Sequence, residues 1–241
     1  MVSMKRTLGH LRRADEDFNM IHDGETVAVG VSGGKDSMAL VKAMKLYTNF
    51  AKRKFDVVAV TVDLGFDGYD VTPIEDYCKS LDVPFTCIKT QIGEIIFDER
   101  QEQNPCSLCS KMRKGALFTE LKKQGINTCA FGHHRDDALE TLLMSMFYEG
   151  RIRTFKPVTY LDRMDVTLIR PLVYLAEHEI VSAARRHSIP VVKSPCPACG
   201  TTKRAETKEL LCHISKSNPK ARDILLTALK NTDQYSLWDK P

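Results

Sequence analysis

The sequence predicts an α/β protein, a twisted parallel sheet of about five strands flanked by helices. Three observations predict it. Short apolar runs rich in β-branched residues recur along the 241 residues, and each is followed by a stretch of helical periodicity. The first run stops abruptly in the glycine turn Ser32-Gly33-Gly34 before a helix begins, as a strand does at the carboxyl edge of a parallel sheet. Strands alternating with helices require right-handed crossovers, and these gather ligands at that same edge.

The elements follow in order. Residues 1–24 mix Leu8, Leu11, Phe18, Met20 and Ile21 with many charges, an amphipathic helical segment laid on the core whose Arg12 and Arg13 read as a solvated face, with RNA contact as the alternative. Asp23-Gly24 then turns into the first strand, 26–31, and a helix resumes after Asp36 or Ser37 and runs to 50. A second strand, 55–62, ends at Asp63; a helix over 71–81 leads to a third strand, 85–89, with Cys78 and Cys87 as packing residues. Residues 101–109 read as a polar loop running into Cys106 and Cys109, followed by a basic stretch and a helix through 123. A short strand at 129–131 gives way to the loop Gly132-His133-His134-Arg135-Asp136-Asp137. The helix after it carries Leu139, Leu142, Leu143, Met146 and Phe147 as its buried stripe. Residues 151–156 are basic, 166–172 form a strand that meets Pro171, and 177–187 form a helix. A proline-stiffened loop holds Cys196 and Cys199, and two polar helices, 206–217 and 220–231, follow. The expected organisation is a helical segment at 1–24, a domain over 25–200 and a helical segment over 201–241.

Composition bounds the function. With 43% hydrophobic and 27% charged residues the chain reads as an ordinary folded domain, and no apolar run approaches a membrane span, so a soluble, cytoplasmic protein without membrane contact is expected. Lys and Arg total 35 against 31 Asp and Glu, a net charge of +4 that neither demands nor forbids nucleic acid. Eight cysteines in such a chain argue for metal binding or thiol chemistry over a disulfide framework.

The turn at residues 32–37 is a phosphate cradle by its chemistry. Gly33 and Gly34 permit positive φ and close backbone approach, free N–H groups of the following helical turn point into the same space, Lys35 adds a mobile cation, and Ser32 and Ser37 add hydroxyls. A Walker loop is excluded because Gly30 and Gly34 stand one residue too close and Asp36 follows the lysine. The dinucleotide fingerprint is excluded because no third glycine opens the helix. An ordinary glycine turn is the plain alternative. Asp63, at a strand end, faces either a ribose or its own turn, and Arg170 at another strand end is placed for a phosphate. Asp136 and Asp137, with Glu140 behind them, are placed to hold Mg²⁺, and His133 or His134 to manage a proton; an Asp N-cap with solvated histidines is the alternative. Each CxxC pair suits two thiolates on one metal. A structural zinc, an iron–sulfur cluster and a redox disulfide all remain open.

The loop resembles that of the N-type ATP pyrophosphatases. With PCSLCSKMRKG, GHHRDDALETL, MFYEG, IRPL and the late CxxCG in this order, the stretch from about Asp15 to about Gly200 is similar to the tRNA 2-thiocytidine synthetases. The resemblance implies an adenine nucleotide alpha hydrolase fold with strand order 3-2-1-4-5. It implies an enzyme that uses ATP, Mg²⁺ and a [4Fe-4S] cluster to replace the C2 oxygen of a tRNA cytidine, at position 32 of the anticodon loop, by sulfur. Residues 32–37, Asp63, Gly132 and Arg170 then bind ATP, and Lys35, Asp36, His133, Asp136 and Asp137 serve catalysis. Three cysteines hold the cluster in that family: Cys106 and Cys109 map onto two, Cys199 is the choice for the third, and Cys196 is the other candidate. The sulfur comes from a cysteine desulfurase or inorganic sulfide. Extra zinc-binding cysteine pairs near the termini, which mark the related 2-thiouridine enzymes, are absent, favouring the cytidine branch. Lys111, Arg113 and Lys114 after the first cysteine pair, and Arg151, Arg153 and Lys156, are the expected tRNA contacts, and a homodimer pooling two such surfaces is expected. The rival readings are a relative acting on another base or a small molecule, a lysidine-synthetase-like ligase, and a non-enzymatic nucleotide-binding iron–sulfur or zinc sensor.

Overall fold

Val27, Ala28 and Val29 are wholly shielded from solvent, as only a strand covered on both faces and paired on both edges can be. These residues belong to β1 (Glu25–Val31), the centre of the sheet in the computed structural model, which describes residues 4–100, 105–192, 195–197 and 203–231. β1 pairs in parallel with β2 (Phe55–Asp63) on one side and β4 (Thr128–Ala130) on the other. β3 (Phe85–Lys89) extends the sheet beyond β2, and β6 (Val166–Ile169) beyond β4, both parallel. β5 (Val158–Leu161) runs antiparallel along β6, so the sheet has six strands in the order β3-β2-β1-β4-β6-β5. The five parallel strands follow the expected order. β5 was not expected because its four residues are at most half-buried and offer no apolar run.

The helices, in chain order, are α1 (Met4–Phe18), α2 (Lys35–Tyr47), α3 (Thr72–Ser80), α4 (Ile92–Glu94) continuing into a π-helical turn (Ile95–Glu99), α5 (Pro105–Lys123), α6 (Arg135–Glu149), α7 (Glu177–Arg186), α8 (Lys203–Ser217) and α9 (Ala221–Lys230). The chain divides into two compact units, 1–134 with 156–199 and 135–155 with 200–241.

The first unit holds the whole sheet. On one face Ala28, Val60, Cys129 and Leu168 pack with Leu117, Phe118 and Leu121 of α5. α2 packs on β1 and β2, with Met38, Leu40, Val41 and Met44 fully shielded, and is joined by α1 and α7. α1 is the amphipathic segment expected. Its buried Asp15 accepts hydrogen bonds from the Ile21 N–H (3.0 Å) and the Tyr47 hydroxyl (2.8 Å), tying α1 to the turn into β1 and to the end of α2. Burial and then Asp15 hold the Tyr47 hydroxyl well above the usual phenol range.

In the second unit Leu139 and Leu143 of α6 and Leu211 of α8 form a small core, with Leu225, Leu226 and Leu229 of α9 against it. Met146 and Phe147, expected in the buried stripe, are 42% and 58% exposed, because the last turn of α6 runs past that leucine cluster. No helix among the described residues is long and apolar enough to cross a membrane.

Candidate active site

The glycine turn lies where β1 ends and α2 begins. Gly34 is the extended residue ahead of α2 and has no side chain to cap it, so the first N–H groups of the helix face outward without a capping oxygen from that position. The turn is tied to itself: the Ser32 N–H donates to Ser37 Oγ (3.1 Å), and Ser37 Oγ donates to the Gly34 carbonyl (3.0 Å). Gly33 has φ of +78°, and its carbonyl accepts the Val192 N–H at 2.9 Å. A side chain there would be strained by its backbone and would press on Val192, with Cβ to Cβ at 3.0 Å.

α2 starts at Lys35, earlier than the sequence indicated, which puts Lys35, Asp36 and Ser37 in its first turn. Lys35 Nζ bridges Asp36 Oδ2 (3.0 Å) and Glu177 Oε1 (3.1 Å). Burial alone would lower the lysine's pKa, but the two carboxylates together raise it, so Lys35 stays charged. Glu177 opens α7, far along the chain, and no sequence signal pointed to it. The other oxygen of Asp36, Oδ1, is shielded from solvent and has no hydrogen bond among the described residues; His134 Nε2 stands 3.8 Å from it. It is the buried His134 that faces Asp36, whereas His133 lies edge-on to Phe131 at 5.8 Å.

Gly132 sits against the same helical turn. A Cβ at Gly132 would lie 2.9 Å from the Asp36 carbonyl carbon and from the Ser37 nitrogen. Its place at the phosphate loop is therefore steric: it lets the chain leaving β4 touch the backbone of α2.

Above the turn is a cavity of about 210 Å³. Ser32 and Gly34 form its polar side, Val62, Leu64, Phe66 and Tyr69 its apolar wall, and Arg113, Val192 and Pro195 complete it. A phosphate-cradling edge facing an apolar and aromatic wall is suited to a nucleotide. Asp63 takes the turn-capping role left open by the sequence, its Oδ1 accepting the Gly65 N–H at 2.9 Å. Arg170 is buried, and its Nη1 donates to the Lys156 carbonyl (2.6 Å) and Thr159 Oγ1 (3.2 Å), which fixes the chain entering β5. Desolvation lowers its pKa to about 10.

The first cysteine pair lies on a helix and not in a loop. Pro105, a residue suited to a first helical position, opens α5, and Cys106 and Cys109 follow three apart on one face. Cys106 is exposed and Cys109 half-buried. Burial raises the Cys109 thiol above its usual range; Arg113 pulls the other way through charge and a hydrogen bond, and Cys196 and Cys106 act on it as neighbours. Cys196 has thus come to the first pair from far along the chain. Cys199 lies outside the described residues, and among the described residues no three His, Cys, Asp or Glu side chains are grouped closely enough to hold a metal ion. Arg113, expected on the tRNA, lines the cavity above the turn, while Lys111 and Lys114 are exposed.

The acidic pair belongs to the second unit. Asp136 pairs with Arg222 of α9, and Asp137 (3.1 Å) and Glu140 (3.8 Å) pair with Arg204 of α8. Arg135 reaches Asp223 at 2.7 Å. Asp136 and Glu140 are nearly inaccessible, so within this unit the carboxylates are engaged by arginines from the last two helices. Sequence reasoning missed Arg204 and Arg222, which stand in polar helices without any motif. Arg153 is held by Glu149 through two hydrogen bonds (3.1 and 2.5 Å), and Arg151 and Lys156 are exposed.

A phosphate-cradling turn with a lysine in the first helical turn, at the carboxyl edge of a 3-2-1-4 parallel sheet, defines a nucleotide-binding α/β protein of the PP-loop class, and the PP-loop domain family matches residues 5–212. The tRNA-cytidine(32) 2-sulfurtransferase of Geobacter sulfurreducens is 37% identical over 241 residues, covering 99% of this chain and 94% of that protein. Its counterpart in Geobacter metallireducens is 38% identical over 231 residues, covering 95% and 90%. The chain belongs to the PP-loop family of tRNA-cytidine(32) 2-sulfurtransferases. Among solved structures, the U34-tRNA thiolase NcsA from Methanococcus maripaludis with its [4Fe-4S] cluster shares the fold, with a TM-score of 0.79 over 98% of this chain and 80% of that one at 22% identity.

Proposed function

We propose that the protein uses ATP to replace the C2 oxygen of a tRNA cytidine, the one at position 32, by sulfur. The observation that supports this best is a single cavity shared by the phosphate turn and by Arg113, which touches Cys109, with Pro195 of the Cys196 segment on its rim. Nucleotide and thiols therefore serve one reaction.

A carbonyl oxygen on an aromatic ring leaves poorly. In the proposed reaction the cytosine O2 attacks the α phosphorus of ATP, the bond to the β phosphate breaks, and pyrophosphate departs with its charge balanced by Lys35 and the N–H groups at the start of α2. A sulfur nucleophile then attacks C2, and the former carbonyl oxygen leaves within AMP. Glu177 and Asp36 hold Lys35 in place, His134 backs Asp36, and the wall formed by Phe66 and Tyr69 receives the base of the nucleotide.

Mg²⁺ fits Asp36 Oδ1, a shielded carboxylate oxygen without a hydrogen bond among the described residues, better than it fits Asp136 and Asp137, which are engaged by arginines. Cys106 and Cys109, one helical turn apart, with Cys196 near enough to act on Cys109, are the soft thiol donors proposed for an iron–sulfur cluster, and Cys199 is the further ligand proposed from the family pattern. When bound, a [4Fe-4S] cluster supplies a soft metal centre for accepting and delivering sulfur, drawn from inorganic sulfide or a cysteine desulfurase. Lys111 and Lys114, near that centre, and Arg151 and Lys156 are proposed to contact tRNA, and two copies of the chain to combine their basic surfaces.

The test is an anaerobic incubation of the protein with ATP, Mg²⁺, a sulfide source and unmodified tRNA. Equal release of AMP and pyrophosphate, and a 2-thiocytidine in the digested tRNA by mass spectrometry, are expected. Release of ADP, or tRNA nucleosides left unchanged, refutes the proposal.

A further inference from the structure

A second cavity, of about 470 Å³, lies in the first unit between the start of α1 and the outer face of α7. Lys5, Arg6, His178, Ser182 and Arg186 line it, with Glu179 as its one acid. His178, Ser182 and Arg186 recur every four residues, which sets them in one stripe along α7. Glu179 is engaged within the protein: Oε2 accepts the Ala176 N–H (3.0 Å) to cap α7, and Oε1 pairs with Arg6. Among the described residues neither Lys5 nor Arg186 has an acidic partner within ion-pair distance, and both are exposed. The local field is positive. His187, the residue after Arg186, has its pKa lowered by burial and then by Lys42 and Arg186.

α7 joins this groove to the nucleotide turn. Its first residue, Glu177, holds Lys35 at 3.1 Å. At about 1.5 Å per residue the stripe ends at Arg186, about 14 Å along the helix from that contact. The lining contains no Phe, Tyr, Trp or Met anchor of the kind that protein partners bury; besides His178 and the engaged Glu179 its side chains are small or basic.

We propose that the groove between α1 and α7 is a docking surface for the phosphodiester backbone of the RNA acceptor, outside the nucleotides that enter the reaction. The proposal rests on tRNA being the acceptor. Lys5 and Arg186 neutralise backbone phosphates, Arg6 is held in position by Glu179, and Ser182 donates a hydrogen bond to a phosphate oxygen. The contacts carry no base specificity; they set the distance between the RNA stem and Lys35.

The test is filter binding of unmodified tRNA to the full-length protein and to Lys5→Glu/Arg186→Glu over a range of salt concentrations. Loss of two phosphate contacts predicts a plot of log affinity against log salt shallower by about 2, and affinity at low salt about tenfold weaker. Lys5→Arg/Arg186→Lys, which keeps both charges, should bind like the parent, and circular dichroism reports whether each variant is folded. An unchanged slope and affinity in the charge reversal overturns the proposal, as does an equal loss in the charge-preserving variant. Polyglutamate that displaces tRNA from the parent but not from the charge reversal, at concentrations equal to tRNA, assigns the groove to an acidic protein partner and also overturns it. A parent protein without salt-sensitive tRNA binding refutes the tRNA reading beneath the proposal, a result distinct from failure of the groove alone.

Discussion

Replacing Gly132 by Ala should damage both stability and nucleotide binding, although the change adds one methyl group. The new Cβ would stand 2.9 Å from the Asp36 carbonyl carbon and the Ser37 nitrogen and 3.0 Å from the Asp36 oxygen, where ordinary contact begins at 3.4 Å. All three are backbone atoms of the first turn of α2, so no side-chain rotation relieves the clash. The turn must move by about 0.5 Å, and overpacking of this kind costs about 2 kcal/mol. In a chain of this size that corresponds to a fall in Tm of about 4–8 °C. Because the displaced atoms adjoin Lys35, the KM for ATP should rise in the same variant. Gly9 is the control: it lies inside α1 with nothing within 4 Å of its Cβ position, so Gly9→Ala should raise stability by about 0.5–1 kcal/mol. Calorimetry and ATP titration check both. A Gly132→Ala protein with the parent's Tm and ATP affinity refutes the steric account of this residue.

Lys35→Ala and Asp36→Ala should each abolish release of AMP and pyrophosphate while the circular dichroism spectrum is kept. Anaerobically purified protein should be brown with about four irons per chain, and Cys106→Ala or Cys109→Ala should bleach it; a colourless parent with one bound zinc refutes the cluster. Arg222→Leu removes the nearer of two guanidinium groups from the nearly inaccessible Asp136, with Arg135 remaining at 3.8 Å, a loss of about 2 kcal/mol that Asp136→Asn in the same chain should largely reverse; additive losses in a double-mutant cycle refute the coupling. Burial pushes the Cys78 thiol up to about 11 and the Cys129 thiol up to about 12, so as pH climbs above 9 the unfolded chain ionises these thiols while the folded chain does not. Stability should therefore fall as pH rises from about 9 towards 12, and urea unfolding at pH 8 and pH 10 measures it; replacing Cys129 by Ala should flatten the dependence.

The parallel sheet was legible because buried strands leave a coarse mark: β1, β2 and β3 are apolar runs bounded by turns. The phosphate turn was legible because backbone geometry dictates glycine and helix N–H groups attract anions, both local facts. Pairings set by the three-dimensional fold left no such mark. Glu177 meets Lys35 from the far side of the chain, and Asp136 meets Arg222 across a helical unit whose polar sequence carries no motif. Arg113 illustrates the same limit from the other side. Its place in a basic run suggests nucleic acid, but the helical period sets it one turn beyond Cys109 and into the lining of the cavity above the glycine turn. The loop assignment of Cys106 and Cys109 failed at an element boundary, where Pro105 starts a helix that polar composition had concealed.

The hairpin of β5 and β6 has a consequence for how the chain assembles. It is the one antiparallel pair among the described strands, and its partners are separated by a short turn, whereas Val27 of β1 finds Thr128 of β4 about 100 residues away. β1 meets β2 across about 30 residues, and closing the longer loop costs about 1 kcal/mol more in chain entropy. Early assembly therefore favours two separate nuclei, the hairpin and the β1–β2 pair with α2. β4 is the keystone between them, a strand of only three residues that pairs with β1 on one side and β6 on the other, and its insertion is the slow, non-local event on which the nucleotide turn waits.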